Sequence, residues 1–156
     1  MTDFISFLDG HFLTTATRLF ISTILGGLIG WQREHYGHEA GVRTFSSIAL
    51  GSCLFAIISL RMSFPADPSR IAAQVVSGIG FIGIGLIIKE KGSVKGLTTA
   101  ATLWTVSAIG LASGFGFYDL AVVGTVLILS ALYLRSIPYW TRFTGRREYR
   151  KKHKEE

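Results

Sequence analysis

Five long apolar segments account for most of the chain, and short polar segments separate them. The apolar segments cover approximately residues 12–31, 45–60, 71–88, 97–115 and 119–137. A helix needs about 20 apolar residues to cross a bilayer, and these segments lack the alternation of apolar and polar residues that is typical of strands. The second segment is the shortest, so its helix would cross with little tilt or extend into its flanks. The pattern predicts an all-α integral membrane protein, a bundle of about five transmembrane helices.

Charged residues are confined to the ends of the apolar segments, and no Asp or Glu lies between those ends. If the five helices alternate in direction, the polar segments 32–44 and 89–96 lie on the same side as the C-terminal tail. Of the 16 Lys and Arg residues, only Arg18, Arg61 and Arg70 then fall on the other side. Because Lys and Arg are enriched on the cytoplasmic side of membrane proteins, we predict an N-terminus outside and a C-terminus in the cytoplasm.

The basic residues also indicate the domain organisation, which is a transmembrane domain over residues 1–137 and a basic cytoplasmic tail over residues 138–156. A pI of about 9.8 in a soluble protein would suggest nucleic-acid binding. Here the basic residues flank apolar segments, so we expect them to contact the lipid bilayer and no nucleic acid. Tyr139 and Trp140 indicate an interfacial anchor, with a partner-docking helix as the alternative. Asp3 and Asp9 argue against a cleavable signal peptide.

Side chains that carry catalytic or metal-binding chemistry are sparse. The one cysteine, Cys53, lies in an apolar segment and has no partner for an intrachain disulfide. Residues 78–83 match the G-x-G-x-x-G dinucleotide-binding string, but a transmembrane helix already uses the backbone N–H groups that such a loop needs. The sequence contains no nucleophile–base pattern, metal-spaced His/Cys cluster or phosphate-binding loop. We therefore expect neither an enzyme nor a bound cofactor or metal.

Small residues repeat at helical spacing on three predicted helices, which marks faces where helices in lipid pack closely. The first helix has one such face, formed by Ser22, Gly26 and Gly30. The third helix has two, formed by Gln74, Gly78 and Gly85 and by Ala73, Ser77 and Gly80. Two faces of this kind predict that the third helix is central, with neighbours on both sides.

The fourth predicted helix carries its own set of small residues, which are Thr98, Ala101, Thr105, Ala108 and Ala112. Gln74 is the only amide or charge well inside the middle helices, and in hydrocarbon it needs a hydrogen-bond partner. Two interpretations stay open. The small residues serve packing alone, or Gln74, Thr98 and Thr105 line a polar seam.

The two polar segments contain the strongest candidates for a functional site. In the first segment, Arg33, Glu34 and Arg43 lie at the predicted membrane surface. They can form an ion pair that joins the first two helices, which is worth only ~0–1 kcal/mol when exposed. Alternatively, they can bind a phosphate, a lipid headgroup or an acidic partner segment, because Arg beside a helix N-terminus favours an anion. The second segment ends in Lys95, Gly96, Thr98 and Thr99. Either threonine can cap or open the fourth helix.

Four blocks of sequence, residues 26–34, 40–44, 76–85 and 96–104, resemble the MgtC/SapB family. The resemblance covers about residues 19–132, and four blocks in the right order make it specific. The positions that match the family motifs are Arg33, Glu34, Gly41, Arg43, Thr44, Gly78, Gly80, Gly83, Gly85, Gly96, Thr98, Thr99 and Trp104.

The resemblance implies a multi-pass protein of the bacterial inner membrane with about five helices. The MgtC members are tied to growth in low magnesium and to survival inside host macrophages. The resemblance implies that they act as regulators, including by binding the membrane sector of the F-type ATP synthase, rather than as magnesium transporters. Two departures favour the general family function over a virulence role. The chain stops at Glu156 without the soluble domain of many MgtC members, and position 98 is Thr where some members have Asn.

The absence of acids inside the apolar segments separates two function classes. Mg²⁺ is usually held through one or two carboxylates, and proton-coupled carriers use Asp, Glu or His inside the bilayer. The sequence therefore favours a regulatory or interaction protein linked to magnesium limitation, which acts through a membrane partner. A transporter or channel for Mg²⁺ or another small ion, with a hydrated path past hydroxyls and carbonyls, is the alternative. The small-residue faces would also permit a homodimer.

Overall fold

The computed structural model describes residues 10–62, 67–90 and 93–134. These residues form five helices and one short antiparallel hairpin, which confirms the predicted helical fold at the level of secondary structure. The helices are α1 (Gly10–His35), α2 (Val42–Met62), α3 (Ser69–Gly85), α4 (Leu97–Phe115) and α5 (Tyr118–Leu134). The hairpin strands, β1 (Ile88–Glu90) and β2 (Ser93–Lys95), lie between α3 and α4.

Each predicted apolar segment corresponds to one helix, but the boundaries differ. The first helix continues to His35, so part of the first predicted polar segment belongs to its last turns. The third helix ends at Gly85 rather than at residue 88, and Ile88 pairs with Lys95 in the hairpin instead. The prediction of helices alone therefore did not include the short strands at residues 88–90 and 93–95. A two-stranded ribbon of three residues per strand is too short to show an alternating pattern in the sequence.

Several predictions concern residues outside the described ranges. The basic tail, residues 138–156, lies there, and so do the predicted anchor residues Tyr139 and Trp140. Asp3 and Asp9 lie there too. The division into a transmembrane domain and a tail stays a prediction.

Helix α4 is the central element of the bundle, since it packs against α1, α2, α3 and α5. Its Leu103 and Val106 are fully buried, together with Ile29 of α1 and Phe45 and Ala49 of α2. This makes the contact region of α1, α2 and α4 the apolar core of the described chain.

Three buried hydroxyl groups of this core, those of Ser22, Ser52 and Ser107, form hydrogen bonds between helices. The Ser22 hydroxyl donates to the Ala49 carbonyl at 2.8 Å, which links α1 to α2. The hydroxyls of Ser52 and Ser107 are 2.9 Å apart and link α2 to α4. Because a hydroxyl in an apolar interior needs a partner, these pairs fix which faces of the three helices meet. The predicted packing face of α1 at Ser22, Gly26 and Gly30 is buried against α2, as expected.

Helix α3 is peripheral, and its prediction as the central helix was wrong. It packs mainly against α4 and to a smaller extent against α2. Gly83 faces Ala100 at ordinary contact distance, whereas Cβ atoms added at Gly78, Gly80 or Gly85 would meet no atom within 4 Å. The same small residues that permit close packing are equally compatible with an open face, and α3 presents most of them outward.

Large apolar side chains cover the outside of the bundle. Phe20, Phe81, Ile84 and Leu127 are 63–83% exposed, a pattern that is uncommon on a monomeric soluble protein. By length and composition, α1 and α2 are apolar enough to cross a membrane, and α3 and α5 are shorter apolar helices. Such an exterior suits a bilayer as the surrounding solvent.

The start of α3 is held by the residues that precede it. The Asp67 carboxylate accepts hydrogen bonds from the Ser69 hydroxyl at 2.6 Å and the Ser69 backbone N–H at 2.8 Å. These hydrogen bonds, the hydroxyl one foremost, lower the pKa of Asp67. Ser59 of α2 donates to the Pro68 carbonyl, which ties the end of α2 to the beginning of α3.

Candidate functional site

Arg33 connects two of the sequence blocks that contain candidate residues of a functional site. It lies on the last turn of α1, where a cation is favoured by the negative end of the helix dipole. Its side chain is only 4% exposed, and its Nη2 donates to the Thr99 hydroxyl at 2.5 Å. Thr99 belongs to the first turn of α4, so the guanidinium connects the end of one core helix to the start of another. We call the region formed by Arg33, Thr99, Glu34 and the Gly41–Val42 backbone the Arg33 junction.

Glu34 connects the same end of α1 to the beginning of α2. Its carboxylate accepts a hydrogen bond from the Val42 backbone N–H at 3.0 Å. Val42 is the first residue of α2, where free N–H groups and the positive end of the helix dipole favour an acid. Gly41 leaves the room for this contact, since a Cβ there would collide with the Glu34 carboxylate. The two helices are joined where one interpretation of the sequence expected an ion pair, but the contact is made to the backbone.

Replacing Glu34 with Ala should therefore destabilise the protein. The change removes the acceptor for the Val42 N–H, and the loss of a capping side chain typically costs about 0.5–2 kcal/mol. Thermal unfolding in detergent measures the effect, with Glu34→Gln expected to retain part of the stability because its amide oxygen still accepts. Glu39→Ala is the matched control, since Glu39 is an exposed acid of the same connection. Equal losses in Glu34→Ala and Glu39→Ala would contradict the assignment.

Arg43 and Thr44 lie outside the junction. Both are exposed on the first turn of α2. Among the described residues no carboxylate is within ion-pair distance of Arg43, so the predicted ion pair between Arg43 and Glu34 is absent. The alternative, an anion or an acidic partner at Arg43, stays a prediction.

Lys95 and Gly96 connect the hairpin to α4. Gly96 precedes α4 with a φ of 83°, a left-handed conformation that favours glycine. A Cβ at this position would also collide with the Leu86 carbonyl oxygen. Lys95 is exposed on β2. Of the two roles considered for Thr98 and Thr99, capping of α4 is not observed, because Gly96 is the cap residue and Thr99 accepts from Arg33.

The polar seam predicted from Gln74, Thr98 and Thr105 does not form. Gln74 is exposed, and its amide has no hydrogen-bond partner in the described part of the chain. Thr105 donates to the Ala101 carbonyl of its own helix at 3.1 Å, and Thr98 is exposed. Peripheral α3 turns Gln74 away from the threonines.

The remaining motif positions divide between packing and exposure. Trp104 is 54% exposed on α4, and Gly78, Gly80 and Gly85 lie on the outward side of α3. Gly83 is buried against α4. The structure thus brings Arg33, Glu34, Gly41 and Thr99 together and leaves the α3 glycines apart from them.

Sequence reasoning did not single out Gln32, a buried polar residue next to Arg33 in the chain. Gln32 is 3% exposed, and its Oε1 is buried with no hydrogen-bond partner among residues 10–62, 67–90 and 93–134. A buried acceptor without a donor costs about 1–3 kcal/mol, so a hydrogen-bond donor that reached this atom would stabilise the protein. The position of Gln32 next to Arg33 could have indicated its burial. It did not, because the first helix was predicted to end at residue 31 and Gln32 was placed in the polar segment.

These features define a class of small helical protein with an apolar exterior and a polar junction at one end of its core. The chain belongs to the MgtC family, whose model matches residues 19–137. The resemblance drawn from the four sequence blocks is thereby confirmed.

Curated relatives match with high identity. "Protein MgtC" of Brucella abortus is 46% identical over 116 residues, which are 74% of this chain and 49% of the relative. "Putative magnesium transporter YhiD" of Escherichia coli K12 is 44% identical over 124 residues, which are 74% of this chain and 57% of the relative. The chain thus spans about half the length of the curated relatives it matches. No solved structure matches.

Proposed function

We propose that this chain is a multi-pass regulatory protein of the bacterial inner membrane, that it serves adaptation to low magnesium, and that it acts by binding a membrane protein. The membrane sector of the F-type ATP synthase is the proposed type of partner. In this proposal the N-terminus is outside and the Arg33 junction lies at the cytoplasmic surface, in agreement with the distribution of Lys and Arg. The proposed role is binding rather than catalysis.

The observation that carries this proposal is the close packing of the core helices. Gly114 lies so near α2 that an added Cβ would be 2.6 Å from the Ala56 Cβ, and one at Gly26 would be 2.6 Å from the Ala49 Cβ. The core between α1, α2 and α4 is therefore filled by side chains and backbone. Contacts this close favour a fixed scaffold over a path through the middle of one chain.

The open face of α3 supports the binding of another helix. Gly78, Gly80 and Gly85 have free space above them, and Gln74 offers an amide without a partner in the described chain. In a bilayer, small residues permit the close approach of a second helix, and an amide adds an interhelical hydrogen bond. A membrane partner or a second copy of this chain would fit this face in the proposed mode.

Transport of Mg²⁺ or another small ion is the second candidate function. The name of the E. coli relative contains the words "magnesium transporter", which favours this candidate. Buried hydroxyls at Ser52 and Ser107 are groups that a hydrated ion could contact if the helices separated. An oligomer of this chain could also enclose a path outside the filled core.

Flux measurements separate the two candidates. Purified protein in liposomes that contain a Mg²⁺ indicator should give the same Mg²⁺ entry as empty vesicles, because the core is closed. In parallel, deletion of the gene should impair growth mainly at low magnesium, and the wild-type gene should restore it. Mg²⁺ entry above that of empty vesicles would replace the regulatory proposal with transport. Equal growth of deleted and intact strains at all magnesium levels would remove the magnesium link.

A further inference from the structure

A cavity of about 140 Å³ lies at the end of the bundle opposite the Arg33 junction. A cavity volume of about 10–15 Å³ is enough to hold one water molecule, so this cavity is about ten times larger than that minimum. The cavity lies between the beginning of α1 and the end of α2, and its lining residues are His11, Thr14, Thr15, Arg18, Ile57, Leu60 and Arg61. We call it the Arg18–Arg61 cavity. Since Arg18 and Arg33 are 15 positions apart on α1, about 22 Å of helix separates the two regions.

Positive charge dominates the Arg18–Arg61 cavity. Two guanidinium groups and the imidazole of His11 line it, and none of the described lining residues is Asp or Glu. Within the described ranges, neither arginine is at ion-pair distance from a carboxylate. Two positive charges at one cavity, without a counter-charge in the described part of the chain, repel each other and favour a bound anion.

The protein uses only part of the hydrogen-bonding capacity of the two arginines. Arg18 Nη1 donates to the Gly114 carbonyl at the end of α4 at 2.7 Å, and Arg61 Nη2 donates to the Thr15 hydroxyl at 3.0 Å. These contacts orient both groups. The Arg18 Nε is buried and has no hydrogen-bond partner in the described part of the chain. A guanidinium has five N–H donors, so each arginine retains donors after its protein contact.

The geometry points to a phosphate-bearing anion as the ligand of the Arg18–Arg61 cavity, and we propose this binding site. Planar guanidinium groups match the oxygens of phosphate in paired hydrogen bonds. Ile57 and Leu60 add apolar surface beside the charged groups, which suits a phosphate ester that carries a carbon chain. The ligand is inorganic phosphate or the phosphodiester of an anionic lipid headgroup, because both present the same oxygens. This site is separate from the Arg33 junction and does not depend on the proposed regulatory function.

The test uses the full chain in nonionic detergent with two probes. Inorganic phosphate is titrated while thermal unfolding is followed, and phosphatidylglycerol or phosphatidylcholine is added for native mass spectrometry. We expect inorganic phosphate or phosphatidylglycerol to bind, and Arg61→Gln to weaken that binding about tenfold or more because a charged hydrogen bond is lost. Binding of inorganic phosphate identifies the free anion as the ligand, and binding of phosphatidylglycerol alone identifies the lipid.

Matched variants keep the outcome decisive. Arg70→Gln removes an exposed arginine at the same end of the bundle, outside the cavity, and should change binding by no more than about twofold. Arg18→Lys keeps a positive charge beside the Gly114 carbonyl but removes the planar group, so it should weaken binding in a folded protein. Arg61 is exposed, so Arg61→Gln should retain the helical circular-dichroism spectrum. No binding of either probe, or equal weakening by Arg61→Gln and Arg70→Gln, would overturn the proposal.

Discussion

Gly110→Leu is expected to prevent the protein from accumulating in folded form. Even a single Cβ at Gly110 would collide with the Ala49 carbonyl oxygen and lie 2.8 Å from the Ser52 Cβ. Backbone cannot move aside as the end of a flexible side chain can, and α2 and α4 would have to separate. Inserting extra carbons into a packed core typically costs about 1–3 kcal/mol, and a whole leucine side chain against backbone should exceed that range. Abundance in the membrane fraction and a monodisperse peak in size-exclusion chromatography measure the loss.

Gly78→Leu is the matched control for Gly110→Leu, because it adds the same side chain to a helical glycine with open space around it. Its abundance and chromatographic profile should stay close to those of the wild type. If this folded variant fails to restore growth in low magnesium, the open face of α3 is in contact with another protein. A loss of folded protein as large as that of Gly110→Leu would contradict the peripheral position of α3.

The main helices could be predicted from the sequence because burial and exposure to lipid both select apolar residues. Each of the five runs became one helix, and the face at Ser22, Gly26 and Gly30 was identified correctly as a packing face. Predicted helix ends were less accurate at α1. The pattern of hydropathy changes at Trp31, but backbone hydrogen bonding continues to His35. A hydropathy pattern reports the surroundings of side chains, and it does not mark the last residue with a helical hydrogen bond.

The arrangement of α3 and α4 could not be predicted because small residues do not reveal whether a neighbour is present. On α4, the small residues that were chosen as a packing face, beginning with Thr98, lie largely on the outside of the bundle. The buried residues of α4 include a different series at a spacing of four, formed by Thr102, Val106, Gly110 and Gly114. Both sets satisfy helical periodicity. Only the close contacts of Gly110 and Gly114 with α2 distinguish them, and such contacts depend on the fold of the whole chain.

The sequence motifs indicated the region of the candidate site, but they did not indicate which residues form hydrogen bonds with each other there. The blocks around Arg33 and Thr99 were both singled out, although 66 positions separate the two residues. Their hydrogen bond is a tertiary contact that no local pattern encodes. One interpretation expected Glu34 to pair with an arginine, whereas its carboxylate accepts a hydrogen bond from the Val42 backbone N–H. Residue type therefore identified the region, and three-dimensional structure assigned the partners.

Breaking the hydrogen bond between Arg33 and Thr99 should destabilise the protein and impair its function in low magnesium. Thr99→Val keeps the shape of the side chain but removes the hydroxyl that accepts from the buried guanidinium. Hydrogen bonds to charged groups contribute about 1.5–3 kcal/mol, so we expect a loss of stability of that order. Arg33→Gln should cost at least as much, because it also removes packed side-chain volume at the end of α1.

A double-mutant cycle tests whether the two residues act through each other. If they do, Arg33→Gln should cost less stability in Thr99→Val than in the wild type, with a coupling energy within the range of about 0.5–3 kcal/mol found for residues in contact. Arg43→Gln is the control, since Arg43 is an exposed arginine of the same polar segment and should change stability by no more than about 0.5 kcal/mol. Denaturation in mixed micelles gives the four stabilities, and growth of complemented strains in low magnesium gives the functional effect. Strictly additive losses would show that Arg33 and Thr99 do not support each other, and the Arg33 junction would then lose its central contact.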